Sequence, residues 1–269
     1  VQTRHLTFSG DGRQAFFPGD AQRTGALQRL ARLVPHDLVG FCLVDDHVHV
    51  AGLWTDEALP QQRRRLLLGL RAAAACPVDP AHVRRVDSRS YLRWLVRYLL
   101  QQPLKHGLSE HPALWSGSFF QDLVGARHLK GLTLRLPDVL PRYRLRDAFE
   151  AVGLPPEPLL PLPDPDLPAL SLPALCRAAA TATCAPVALG RRTAQTVRAR
   201  RVVAAMAPRA GFSSRATRDA LGLSATALRR HRTLGPDPRD LAATRTRLAL
   251  ERRVAAVTPP GTPRGPATS

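Results

Sequence analysis

The chain has 269 residues, of which 39 are Lys or Arg against 21 Asp or Glu, for a formal net charge of +18. That length can bury one large or two small cores, and the basic excess points to a polyanionic partner. The four cysteines (Cys42, Cys76, Cys176, Cys184) form neither a CxxC pair nor a disulfide framework, Arg71 interrupts the apolar run from Leu66 to Ala75, and no signal-peptide core opens the chain. A reduced, cytoplasmic protein without a membrane span is expected.

Residues 3–8 alternate polar and apolar before Ser9-Gly10-Asp11-Gly12, which predicts a strand ending in a turn. Ala26, Leu27, Leu30, Ala31 and Leu33 recur at helical spacing, which predicts a first helix over 20–33, broken by Pro35. The apolar run 38–53 reads as two strands with a turn near Asp45-Asp46. A second helix is expected from Trp54-Thr55-Asp56-Glu57 through Ala75, its acidic residues favoured at the N-terminus by the helix dipole. Residues 82–86 alternate as a short strand, and Asp87 or Ser88 caps a third helix running to about Gln102. The order β-α-β-β-α-β followed by a helix is the split arrangement of a ferredoxin-like (RRM-like) α+β fold, an antiparallel sheet with helices on one face.

Beyond residue 125 the character changes. Residues 132–146 read as strand and short helix, and eight prolines between Pro155 and Pro173 predict a semi-rigid linker. The segment 191–206 is basic and helix-like. Ala216 to Arg230 has the helix, glycine turn and second helix of a helix-turn-helix, with Gly222 at the turn and Ser224 capping a helix that bears Thr226, Arg229, Arg230 and Arg232. A plain helical hairpin is the alternative for this segment. The division expected is a first domain over 1–130, a connecting segment over 131–186, an all-α basic region over 187–255 and a disordered tail over 256–269.

Chemistry concentrates in Leu43-Val44-Asp45-Asp46-His47-Val48-His49-Val50. Alternation on a strand points His47 and His49 to one face, and two neutral imidazoles there supply half a coordination shell for a divalent ion. On this motif alone, an ordinary pair of hydrogen-bonded strand histidines is the favoured reading, because the motif is short. On the third helix Tyr98 and Gln102 are four apart, which puts phenol and amide on one face.

These residues, in order, resemble a known family. Asp45-Asp46-His47-Val48-His49, followed by Arg97-Tyr98-Leu99-Leu100-Gln101-Gln102-Pro103-Leu104-Lys105-His106-Gly107-Leu108, is similar to the HUH single-tyrosine transposases. Their REP-associated branch carries a Met-Pro-Asn-His-Val-His strand and an Arg-Tyr-Ile-His-x-Asn-Pro helix end continuing into Ala-Gly-Leu. Leu114-Trp115-Ser116-Gly117-Ser118-Phe119 resembles that branch's Pro-Trp-Ser-Ser-Tyr segment, and residues 9–17 resemble its Arg-Gly-Asn loop before Phe. The likeness spans about residues 3–125. Asp45 and Asp46 depart from the family's Pro and Asn, and Gln102 from its usual Asn, although glutamine is similar to the third ligand of the insertion-sequence branch.

The resemblance implies a nucleophilic Tyr98 and one Mg²⁺ or Mn²⁺ held by His47, His49 and Gln102, cleaving single-stranded or hairpin DNA through a 5′-phosphotyrosine link. Such an enzyme would act at a mobile or repeated palindromic element as a monomer or homodimer, with its own or its partner's tyrosine. Arg84, Arg85, Arg93, Arg97 and Lys105 are expected backbone contacts, each alternatively a solvated surface charge, and the basic C-terminal region is expected to hold duplex DNA. A domesticated, non-cleaving DNA-binding regulator and a replication-initiator or relaxase-type nuclease are the competing readings.

Overall fold

The computed structural model describes residues 2–10, 14–109, 111–190 and 192–258. Parts of three sequence expectations lie outside them: the loop residues 11–13, Arg191, and the tail from 259 onward. The chain forms two compact units, one of residues 1–123, 130–158 and 253–269, the other of 124–129 and 159–252.

The first unit is the α+β fold read from the sequence. Its elements run β1 (Gln2–Ser9), α1 (Asp20–Leu33), β2 (Leu38–Leu43), β3 (His47–Trp54), α2 (Leu59–Arg71), β4 (His82–Arg85) and α3 (Arg89–Lys105). The strands make one sheet in the order β2-β3-β1-β4, every neighbour antiparallel. Strand alternation divides the sheet. Leu6, Phe8, Phe41, Leu43, Val48 and Val50 are fully buried side chains, while Thr7, His49 and Cys42 align across the opposite face. Helix α3 packs against β2.

Two boundaries differ from the sequence reading. Trp54 closes β3, where it pairs with Gln2, so α2 begins only at Leu59 beside Pro60, and it ends at Arg71, whose guanidinium donates to the Val78 carbonyl at 2.8 and 2.9 Å. Helix α3 continues a turn past Gln102, carrying Pro103 inside it. Three short helices follow, α4 (Phe120–Leu123), α5 (Leu136–Val139) and α6 (Leu145–Ala151), and the described residues over 132–146 contain no strand.

Helices dominate the second unit: α7 (Leu172–Ala182), α8 (Ala194–Met206), α9 (Ser214–Leu221), α10 (Ala225–Leu234) and most of α11 (Pro238–Val257). The proline-rich stretch is more ordered than a linker reading expects. Asp164–Ala169 is a 3₁₀ helix, and Pro173 sits in the first turn of α7, where its missing N–H costs nothing. Leu162, Leu167, Leu172 and Leu175 from this stretch join a core with Ala178, Val202, Val203, Leu221 and Leu228. Asp240 is fully buried. Arg198 Nε donates to its Oδ2 at 2.8 Å, Arg198 Nη2 pairs with Oδ1, and His128 Nδ1 lies 2.6 Å from Oδ1. Among the described residues, no helix is long and apolar enough to cross a membrane.

Candidate active site

The β2–β3 turn decides where the two histidines stand. Asp45 accepts from Arg23 at 3.1 Å, and the same guanidinium lies 4.0 Å over the Trp115 ring. Trp115 in turn donates its indole N–H to the Leu43 carbonyl at 2.8 Å. Gly117 makes this clasp possible, since a Cβ there would stand 2.2 Å from the Leu43 carbonyl oxygen. Both aspartates thus have a local role: Asp45 anchors the turn through Arg23, and Asp46 Oδ1 contacts His47 Nδ1 at 2.6 Å.

His47 and His49 share a face, their ring centroids 4.7 Å apart and nearly perpendicular. His49 is 4% exposed. Its Nδ1 lies 3.1 Å from His5 Nε2 and 3.2 Å from Thr7 Oγ1, both on β1. Among the described residues its buried Nε2 has no well-formed hydrogen bond. Burial chiefly, then the nearby His47 and His5, push the His49 pKa down to about 2, with the Gln102 side chain acting in the opposite sense. Burial and the Arg84 charge likewise lower His5 to about 4. Both rings are therefore neutral near pH 7, the form that can act as a ligand.

Helix α3 brings the other half. Ser88 caps it by accepting from the Tyr91 N–H at 3.1 Å, and apolar residues at Leu92, Leu95, Val96, Leu99 and Leu100 bury one side. Gln102 is 1% exposed; its amide N–H donates to the Tyr98 carbonyl at 3.3 Å, and its buried Oε1 has no well-formed hydrogen bond among the described residues. The Tyr98 ring is 5.4 Å from His49, edge to face. Partial burial raises the Tyr98 pKa, partly offset by Gln102, so the phenol keeps its proton at neutral pH. Lys105 Nζ is 5.6 Å from the Tyr98 ring centroid.

His47, His49, Gln102 and Tyr98 are thus gathered by β3 and one helix face. Two of the three expected ligand side chains present buried polar atoms, His49 Nε2 and Gln102 Oε1, without a well-formed hydrogen bond among the described residues, and His47 keeps Nε2 once Nδ1 meets Asp46. A buried acceptor left unpaired costs about 1–3 kcal/mol, a cost that a bound cation removes. Two imidazoles and one amide oxygen form a donor set able to hold a divalent metal ion.

No family model matches the chain, and no curated protein matches it. A search of solved structures finds similarity to a REP-associated tyrosine transposase bound to a REP hairpin, with a TM-score of 0.39 and 17% identity over 49% of this chain and 82% of that one.

Several neighbours of the site escaped the sequence reading. His5 and Thr7 reach His49 only through the β1–β3 register, which no local motif encodes. His106, four residues after Gln102 and so on the same helical face, has its ring 4.9 Å from His47. Trp94 stacks on Tyr98 at 5.1 Å and 16° and on Tyr91 at 5.5 Å and 18°, making an aromatic row along α3. Of the expected backbone contacts, Arg84, Arg85, Arg93, Arg97 and Lys105 are all exposed, and Arg84 donates to the Tyr91 hydroxyl at 3.4 Å.

The helix-turn-helix segment folds as helix, turn and helix. Gly222 adopts the left-handed conformation (φ 60°) that lets α9 end tightly, and Ser224 caps α10 by accepting from the Ala227 N–H at 3.2 Å. Helix α8 packs against both. Thr226, Arg229 and Arg230 are exposed on α10, whereas Arg232 donates to Ser214 Oγ at 2.9 Å and to the Ala204 carbonyl at 3.3 Å. A second group able to hold a metal ion, His128, Asp237 and Asp240, has its ligand atoms within 4.8 Å of one another. Arg198 already supplies the counter-charge to Asp240 there.

Proposed function

We propose that this chain is a metal-dependent, transposase-like DNA strand-transferase that nicks and rejoins single-stranded or hairpin DNA at a mobile or repeated palindromic element. The observation that carries this reading is the convergence of His47, His49 and Gln102 beside the Tyr98 phenol, with His49 Nε2 and Gln102 Oε1 buried and lacking a well-formed hydrogen bond among the described residues. An ordinary strand histidine would have both nitrogens satisfied.

In the reaction, the Tyr98 oxygen attacks a backbone phosphorus as the bond to the 3′ oxygen breaks, and the phenolic proton is balanced by the one the leaving 3′-hydroxyl gains. The product is a 5′-phosphotyrosine link that keeps the phosphodiester energy, so a 3′-hydroxyl can later reverse the step. Bound at His47, His49 and Gln102, Mg²⁺ or Mn²⁺ would supply charge stabilisation at the phosphate oxygens. Asp46 fixes the His47 ring through Nδ1, and His5 with Thr7 does the same for His49. Trp94 limits the swing of the Tyr98 ring by stacking on it. Arg84, Arg85 and Lys105 offer phosphate contacts along the approach to the site.

Incubation with labelled single-stranded oligonucleotides taken from the flanks of its own gene, with Mg²⁺, is expected to give a denaturation-resistant protein–DNA adduct. Intact oligonucleotide after complete metal loading would exclude the reading. Asp46→Asn is expected to lower Mn²⁺ affinity roughly 10–100-fold, the usual effect of losing a carboxylate that orients a ligating histidine; calorimetric titration of the full chain measures it.

In the second unit the reading is a duplex-DNA module, its recognition helix α10 presenting Thr226, Arg229 and Arg230, with Arg232 bracing the helix pair. Arg229→Ala and Arg230→Ala are each expected to reduce the slope of log affinity against log salt by about one. Arg232→Ala should instead lower thermal stability, because its guanidinium bonds within the chain.

A further inference from the structure

Within the first unit, α3 and α6 border an open cleft of about 270 Å³ lined by Arg93, Arg97, Tyr143, Asp147, Glu150 and Ala151. Arg93 and Arg97 lie four apart on one face of α3, and Asp147 and Glu150 three apart on one face of α6. Gln101 ties the helices by donating to the Ala151 carbonyl at 3.2 Å, and Phe149 packs edge-on against Phe120 beneath α6.

The polar groups around this cleft do not satisfy one another. Among the described residues, the side chains of Arg93, Arg97 and Glu150 have no hydrogen-bond or ion-pair partner, and the Tyr143 hydroxyl is buried without one. Burial first, then Asp147, push the Tyr143 phenol up, against the opposing pull of Arg93 and Arg97, so it stays protonated and able to donate. Asp147 is partly committed, accepting from the Arg144 N–H at 2.9 Å as a helix cap.

Two guanidinium groups and two carboxylates make the lining neutral in sum, a poor match for a bare anion or a bare cation. It fits a dipolar ligand with an anionic group at one end and N–H donors at the other. The volume lies just below the usual range of small-molecule clefts, roughly 300–1,000 Å³, which leaves room for a single nucleotide and none for a duplex. Among the bases, guanine carries two adjacent donors, N1–H and N2–H₂, spaced for the two oxygens of one carboxylate.

We propose that this cleft holds one unpaired guanine nucleotide, its phosphate on Arg93 and Arg97, its N–H edge on the Glu150 carboxylate and a hydrogen bond from the Tyr143 hydroxyl. The assignment rests on the reading that the chain handles single-stranded DNA. Arg97 immediately precedes Tyr98 on α3, which sets the cleft on the neighbouring side of that helix from the active site; a guanine held there would bias which sequence is presented.

The test uses the full chain without added metal, so that no cleavage intervenes. Fluorescence anisotropy of labelled TTGTT and TTTTT is expected to favour the guanine strand at least about 10-fold, as one bidentate base contact allows. Glu150→Gln should erase that preference while leaving TTTTT affinity in place, and Tyr143→Phe should weaken TTGTT alone. Free dGMP competing as well as TTGTT would show that the cleft serves a mononucleotide and overturn the strand assignment. Equal affinity for the two strands, or a preference that survives Glu150→Gln, overturns the proposal outright. An adduct assay on the same preparations separates the two readings: guanine preference without adduct leaves this inference standing and removes the nicking function, and adduct without preference does the reverse.

Discussion

Tyr98→Phe is expected to lose the covalent adduct, with nicking reduced on the order of 10⁴-fold or more, as for removal of other activated nucleophiles. Only the hydroxyl is deleted. The ring that lies 5.4 Å from His49 and stacks on Trp94 remains, so binding of single-stranded DNA should change little. Gel analysis after denaturation scores the adduct, and anisotropy with the same oligonucleotide scores binding. Adduct persisting in the variant would transfer the role to another hydroxyl, and Tyr91, on the same helix, would be the first to replace in turn.

A second large effect is expected far from the chemistry. Asp240→Ala leaves Arg198 and His128 facing a buried void where a fully enclosed carboxylate had bonded both. Breaking a buried pair by removing one partner costs about 3–5 kcal/mol, so the helical unit should unfold at markedly lower denaturant while the sheet unit keeps its transition. The same network predicts acid sensitivity. Burial alone would raise the Asp240 carboxyl, yet the bonds from Arg198 and His128 outweigh it and hold the pKa below the ordinary aspartate value of 3.8. A depressed folded-state pKa means that the stabilisation is complete above 3.8 and is lost as pH falls through the lower folded value. Melting curves from pH 7 to pH 2 should show the loss in the native chain and not in Asp240→Asn.

The sheet unit was largely legible because its signals are local. Period-two alternation located β1 and β4, and the Asp45-Asp46 interruption split one apolar run into β2 and β3. Helix α1 ran as its spacing indicates, from Asp20 to Leu33. What failed were the ends governed by tertiary pairing. Trp54 reads as a helix start beside two acidic residues, but its backbone is claimed by Gln2 across the sheet.

At the site, the residues on one motif were readable and those brought by register were not. His47, His49, Tyr98 and Gln102 each sit in a recognisable stretch, whereas His5 joins only because β1 lies beside β3. Trp94 reads as a helical apolar position from spacing alone, and only the folded helix leaves it on the surface. Proline density misled in a different way: it disfavours α-helix interiors but permits 3₁₀ turns and first helical turns, which is where Pro165, Pro168 and Pro173 stand.

The aromatic row on α3 gives the molecule an optical reporter of its own. The chain has three tryptophans; Trp54 and Trp115 are buried, and Trp94 is 51% exposed. Emission at the red edge of the spectrum therefore comes from Trp94, and a collisional quencher such as acrylamide reaches it before the other two. Because that indole lies against the ring of Tyr98, its lifetime registers rotation of the tyrosine. Time-resolved fluorescence of the unlabelled protein can follow that movement.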